Sequence, residues 1–150
     1  MLTVIHQWVE AAREGSNPRV IAKLNGAWLL MGESQFLPGY MLVVPDPVVP
    51  DLNAMSLPAR DRLLQQAGIV GDALLANTDA VRINYEILGN LQPALHVHIF
   101  PRYEHEHEDL RSKPVWFYDW EKAPKFDARR DSELMNKVAA YLKEQGLCGQ

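Results

Sequence analysis

The chain has a single cysteine, Cys148, close to its C-terminus. One thiol cannot close an internal disulfide, and with no cysteine cluster there is no thiolate zinc site. Basic charge is also short: 15 Lys and Arg stand against 19 Asp and Glu, for a formal net charge of −4. A surface that grips a nucleic-acid backbone needs an excess of cations, so no polynucleotide partner is expected. A small anionic ligand stays open, because a few local donors outweigh the global charge. No apolar run approaches the length that spans a bilayer, so no membrane partner is expected. The opening MLTVIHQWVEAAREG lacks a basic segment followed by a long apolar one. No signal peptide is therefore expected, and a reducing cytoplasm is the expected compartment.

What is present is an ordinary globular composition, 47% hydrophobic and 23% charged over 150 residues. That suits one domain, residues 1–150, with a sizeable core. Leu2, Ile5, Trp8, Val9 and Ala12 fall at helical spacing, with Gly15 as the stop. RVIAKL and AWLLM flank Asn25-Gly26 as the strands of a hairpin, and YMLVVP at 40–45 reads as a buried strand. Ser56 caps a helix with Pro58 in its first turn, whose apolar face is Leu63, Leu64, Ala67, Val70 and Leu74. AVRINYEIL at 80–88 alternates, with Val81, Ile83, Tyr85 and Ile87 on one face and Arg82, Asn84 and Glu86 on the other. Residues 94–100 form a further strand, and 132–145 a last helix that turns Leu134, Val138, Tyr141 and Leu142 inward. Trp8 and Trp28 are assigned to the core. Antiparallel strands with helices collected outside the sheet predict an α+β fold.

The stretch ALHVHIFPRY, residues 94–103, carries the chemistry. Side chains alternate along a strand, so Leu95, Val97 and Ile99 face the core while Ala94, His96, His98 and Phe100 share the other side. At a rise of about 3.3 Å per residue the two histidine Cβ atoms lie roughly 6.5–7 Å apart, a spacing that suits neighbouring phosphoryl oxygens. Two histidines bonded only to backbone or water give the same pattern. A metal would need a further ligand; His105 and His107 offer a second His-x-His, while EHEHED reads more simply as a solvated acidic turn. Arg102 reaches either a phosphate or a loop carboxylate. Trp116, Phe117, Tyr118 and Trp120 either pack the C-terminal segment on the sheet or meet a nucleobase or a partner subunit.

LHVHIFPRY resembles the motif of the histidine-triad family, His-φ-His-φ-His-φ-φ with φ apolar, followed in several branches by Pro-Arg. Counting back from Pro101-Arg102 puts His98 at the third histidine, His96 at the central one and Ala94 at the first. LPGYMLVVP is similar to the family's PGH-x-LV-x-P stretch, and LGNLQPALHVH with KPVWFY resembles a bacterial branch in which the first histidine is often replaced. The resemblance spans about residues 20–120. It implies a HIT-like α+β fold, commonly a homodimer, that acts on nucleotides with no metal and no cofactor. It also implies that the central histidine attacks the α-phosphorus, forms a covalent nucleotidyl-histidine, and loses a nucleoside monophosphate to water.

Carried over by position, His96 is the nucleophile, His98 contacts phosphate oxygens, and Asn90 holds the phosphate region. Dinucleoside polyphosphates are the leading substrate class. Ala94 and Gly32 depart from the pattern, the first near the phosphate and the second where some members carry an Asn near the ribose. The rival reading is a nucleotide-binding protein with little or no turnover, which Ala94 would suit.

Overall fold

The structure, a computed structural model, describes residues 2–148. Helix α1, Val4–Glu14, starts at Thr3, whose hydroxyl accepts from the backbone N–H groups of Ile5 and His6, while the His6 ring accepts from the Thr3 N–H. Such a reciprocal cap satisfies donors that a helix start leaves orphaned. The helix ends where Gly15 turns left-handed, and it buries Ile5, Val9 and Ala12. Strands β1, Val20–Leu24, and β2, Ala27–Met31, pair antiparallel across the Asn25-Gly26 turn, in which Gly26 has φ 76°. Strand β3, Met41–Pro45, pairs with β2. Helix α2, Leu57–Asn77, is capped by the Ser56 hydroxyl and has proline in its first turn. It crosses to β4, Arg82–Glu86, on the far edge of the sheet, and the chain then returns as β5, Val97–Arg102, between β4 and β3. The short helix α3, Glu108–Arg111, and a 3-10 turn at Val115–Phe117 precede α4, Ala128–Glu144.

The sheet is five-stranded and antiparallel, in the order β1-β2-β3-β5-β4. Helices α2 and α4 cover one face, where Leu63, Ala67, Val70 and Leu74 meet Leu29, Met41, Val97 and Ile99, with Val138 and Leu142 closing the layer. The other face carries a second apolar cluster in which Ile5 and Val9 of α1 join Leu30, Leu42, Ala94, Phe100 and Val115. Every residue of β2, β3 and β5 is buried as a result. The predicted α+β architecture holds; the strand expected over 94–100 runs instead from Val97 to Arg102, although Leu95, Val97 and Ile99 still enter the first cluster and Ala94 and Phe100 the second.

Four further details differ from expectation. Leu64 is exposed, and Gln66, Gly71 and Ala73 share the buried side of α2 with the other four residues. The odd face of β4 outruns its cover, which leaves Val81 and Tyr85 exposed at the sheet edge. Helix α4 begins at Ala128, earlier than residue 132, because the Asp127 carboxylate accepts from the N–H groups of Arg129 and Arg130. Trp28 is buried as predicted and donates to Asp46, whereas Trp8 is half-buried with the Arg19 guanidinium 4.4 Å over its ring. Among the described residues no helix is long and apolar enough to cross a membrane.

Leu74 is fully enclosed between α2 and the sheet. Leu74→Ala should lower stability by about 2–5 kcal/mol, read as a fall in the urea midpoint at unchanged slope.

Candidate active site

His96 lies just before β5 and His98 within it, each 8% exposed. Their ring centroids are 4.7 Å apart, edge to face. Each ring is held by one nitrogen. Nδ1 of His96 stands 2.7 Å from the Ala94 carbonyl oxygen. A carbonyl only accepts, so the neutral ring carries its proton on Nδ1 and keeps a lone pair on Nε2. Nδ1 of His98 stands 2.7 Å from the Tyr40 hydroxyl. Burial pushes the Tyr40 phenol above its usual range, so it stays protonated and able to donate. With Tyr40 donating, His98 accepts at Nδ1 and presents Nε2–H. One ring offers a nucleophilic lone pair and its neighbour offers a hydrogen-bond donor.

Aromatic packing fixes both rings. His98 stacks on Phe100 at 5.4 Å, and Tyr40 stacks on Phe100 at 4.3 Å. Trp116 meets the His98 ring edge-on at 5.5 Å and stacks on Trp120 at 5.0 Å. The aromatic segment thus packs on the sheet over the histidine face, while 43% of Trp116 stays exposed. Tyr40 has room because residue 32 is glycine: a Cβ there would lie inside van der Waals contact of the Tyr40 ring.

Arg102 goes to the carboxylate. It donates to both oxygens of Glu106, to Asn84 Oδ1, and to the carbonyls of Leu110, Arg111 and Lys113. Glu106 also accepts from the Tyr118 hydroxyl and the Tyr103 N–H. Burial pushes the Glu106 carboxyl up, but these donors outweigh it and hold the group below the usual carboxylate range. The reading of EHEHED as a wholly solvated turn is corrected here, since Glu106 is buried. His105 and His107 are exposed; one stacks on Tyr103 and the other caps α3. Among the described residues no three His, Cys, Asp or Glu side chains are grouped so as to hold a metal ion.

Asn90 lies in the loop between β4 and β5, exposed. Its neighbour Gly89 lines a crevice of about 20 Å³ with Asp51, Ala94 and His96. Ala94 is completely enclosed in the second apolar cluster. Two residues outside the predicted set join the site. Tyr40 occupies the third position of the PGY stretch, and Glu86 stands directly opposite His98 on β4. The alternation of residues 80–88 already placed Glu86 on the polar side of its strand.

A model of the HIT domain matches residues 15–105. The chain belongs to the HIT family. HIT proteins of known structure share its fold. A histidine triad protein from Sinorhizobium meliloti 1021 superposes with a TM-score of 0.72 at 22% identity, over 82% of this chain and 88% of the other. One from Bradyrhizobium japonicum gives 0.72 at 24% identity, over 81% and 88%. The diadenosine triphosphate hydrolase of Plasmodium falciparum gives 0.56 at 18% identity, over 85% and 78%. No curated protein matches the chain by sequence.

Within this HIT domain the His98 pKa is lowered to about 3, first by burial and then by the neighbouring His96. Such a group binds protons more readily in the unfolded chain, so its contribution is intact above about pH 6.5 and is lost as pH falls toward 3. Between pH 7 and pH 4.5 that loss amounts to about 2–3 kcal/mol. Urea unfolding at the two pH values should show it in the parent protein. The difference should shrink by about that amount in His98→Gln.

Proposed function

We propose that this HIT protein is a metal-independent nucleotide hydrolase or nucleotidyl transferase that works through a covalent nucleotidyl-His96. The observation that carries the reading is the bond from His96 Nδ1 to the Ala94 carbonyl, which leaves Nε2 as the free nucleophilic nitrogen. Nε2 attacks the α-phosphorus, and the leaving group departs with the bonding electron pair. His98 Nε2–H donates to a phosphoryl oxygen as negative charge accumulates there. Its low pKa keeps His98 neutral at physiological pH, so its help comes through hydrogen bonding. Asn90, exposed beside the crevice, reaches the phosphate region when substrate is bound.

Dinucleoside polyphosphates are the substrate class we favour. Ala94 provides no phosphate contact of its own, and two polar side chains near it in sequence, Gln92 and Arg102, are engaged elsewhere. Arg102 is bound to Glu106, and Gln92 Oε1 accepts from the Val4 N–H at 3.4 Å. A leaving group that is stable as an anion needs the missing contact least. Homodimerisation fits the exposed edge of β4, where Val81, Tyr85, Leu88 and Leu91 are open. The reducing compartment suits the single free thiol, Cys148. A second reading, nucleotide binding with little turnover, is favoured by the narrowness of the crevice beside His96.

His96→Ala should abolish turnover while nucleotide affinity stays within a few-fold, because many contacts bind and one atom attacks. Measured kcat within about threefold of the parent would rule the mechanism out. A parent that binds nucleotide but never forms an adduct would favour the binding protein.

Leaving-group preference gives an independent check. A phosphate contact made mainly in the transition state is worth about 2–4 kcal/mol, or roughly 10²–10³ in rate. The parent protein should therefore hydrolyse dinucleoside polyphosphates faster than nucleoside phosphoramidates. Equal rates on the two would show that another group does the work of the absent side chain.

A further inference from the structure

Glu86 and His98 are direct partners in the β4–β5 register, and paired residues project to the same sheet face. Oε2 of Glu86 is enclosed, with no hydrogen-bond donor among the described residues. A carboxylate on a solvated strand edge keeps both oxygens in water. One oxygen held dry and unpaired is unfavourable, and such groups recur where a protein does chemistry. Glu86 also lines a groove of about 440 Å³ between β4 and residues 104–114, which Arg82, Arg111 and Lys113 line as well.

We infer that Glu86 is the general base for the water that hydrolyses the nucleotidyl-histidine, an inference that rests on the covalent reading of His96. His96 lies immediately ahead of the β4–β5 ladder, and its ring meets that of His98, the residue opposite Glu86, edge to face at 4.7 Å. A phosphorus bonded to His96 Nε2 then sits beside His98, and the attacking water approaches in line on its far side, from the sheet face that Glu86 shares with His98. As the water oxygen bonds to phosphorus, one of its protons passes to Glu86. The P–N bond breaks, and its electron pair returns to Nε2 of His96. The products are a nucleoside monophosphate and neutral His96, and Glu86 then releases its proton to solvent. The groove admits the water; beside the Arg102–Glu106 pair it is lined by Arg82, Arg111 and Lys113 against Glu104, an excess of cations that offsets the negative charge Glu86 adds near a phosphoryl group. His98 contacts a phosphoryl oxygen and Glu86 contacts the water, so neighbouring side chains on paired strands divide the second step between them.

Glu86→Gln preserves shape and removes the base. The test mixes each protein with diadenosine triphosphate labelled in an adenylyl phosphate, quenches in base, and counts label on the protein beside the steady-state rate. In Glu86→Gln the adduct should approach one per chain while kcat falls by about 10²-fold or more. In Glu86→Ala, added formate should restore part of the lost rate, which a purely structural role would not allow. The thermal midpoints of both variants should match the parent, so that folding is not the cause. Turnover by Glu86→Gln within about threefold of the parent, with no extra adduct, would overturn the inference and leave the His96 mechanism standing. A slow Glu86→Gln without accumulated adduct would also overturn it. Label on neither protein would remove the covalent reading and this inference together.

Discussion

Strand β5 carries His96, His98 and Arg102 on or beside a strand that is covered on both faces, where a polar group is stable only if something bonds to it. That constraint fixes most of the site. The Ala94 carbonyl pairs Nδ1 of His96, Tyr40 pairs Nδ1 of His98, and Glu106 pairs the Arg102 guanidinium. Partners needed for burial thereby choose the tautomers. Each ring turns one nitrogen inward to its partner and leaves Nε2 with the opposite hydrogen-bonding role from its neighbour's. The free nitrogen of each ring is thus a by-product of satisfying buried donors and acceptors.

The Arg102 cluster does for the aromatic segment what those bonds do for the rings. By donating to the carbonyls of Leu110, Arg111 and Lys113, Arg102 ties the chain after β5 back onto the sheet. Glu106 then draws in Tyr118. Between these anchors Val115 is buried in the second apolar cluster, and Trp116 lies edge-on to His98. Removing either partner of an enclosed ion pair costs about 3–5 kcal/mol. Loss of Glu106 would therefore loosen the cover over the histidines as well as the turn that carries it.

Most elements are legible from local signals because each has a local cause. Asn25-Gly26 between two apolar runs can hardly be anything but a tight turn, and Ser56 followed by Pro58 starts a helix for reasons contained in five residues. The alternation through 94–100 was legible for the same reason. Properties that depend on what covers a residue were less so. Leu64 has the spacing of a core residue, yet it faces outward. Glu106 sits among residues that look solvated and is buried because a distant strand sends it a guanidinium. Tyr40 and His98 are 58 residues apart, and only the β3–β5 pairing makes them neighbours.

The departures at 32, 40 and 94 also become connected once the packing is known. Tyr40 puts a larger ring where the family's PGH stretch has histidine, and that ring fills the space a side chain at 32 would need. Glycine at 32 and tyrosine at 40 are thus coupled by packing, and Tyr40 in turn meets His98. Ala94 belongs to the same economy of space. It is wholly enclosed, in the apolar cluster that also takes Tyr40 and Phe100, and a histidine there would overpack that cluster by about 1–3 kcal/mol or more. Reinstating the motif residue at 94 alone would therefore disturb the column that holds His98 before it supplied any contact to phosphate. On that same face β4 brings in a polar side chain, Glu86, whose Oε2 has no donor among the described residues.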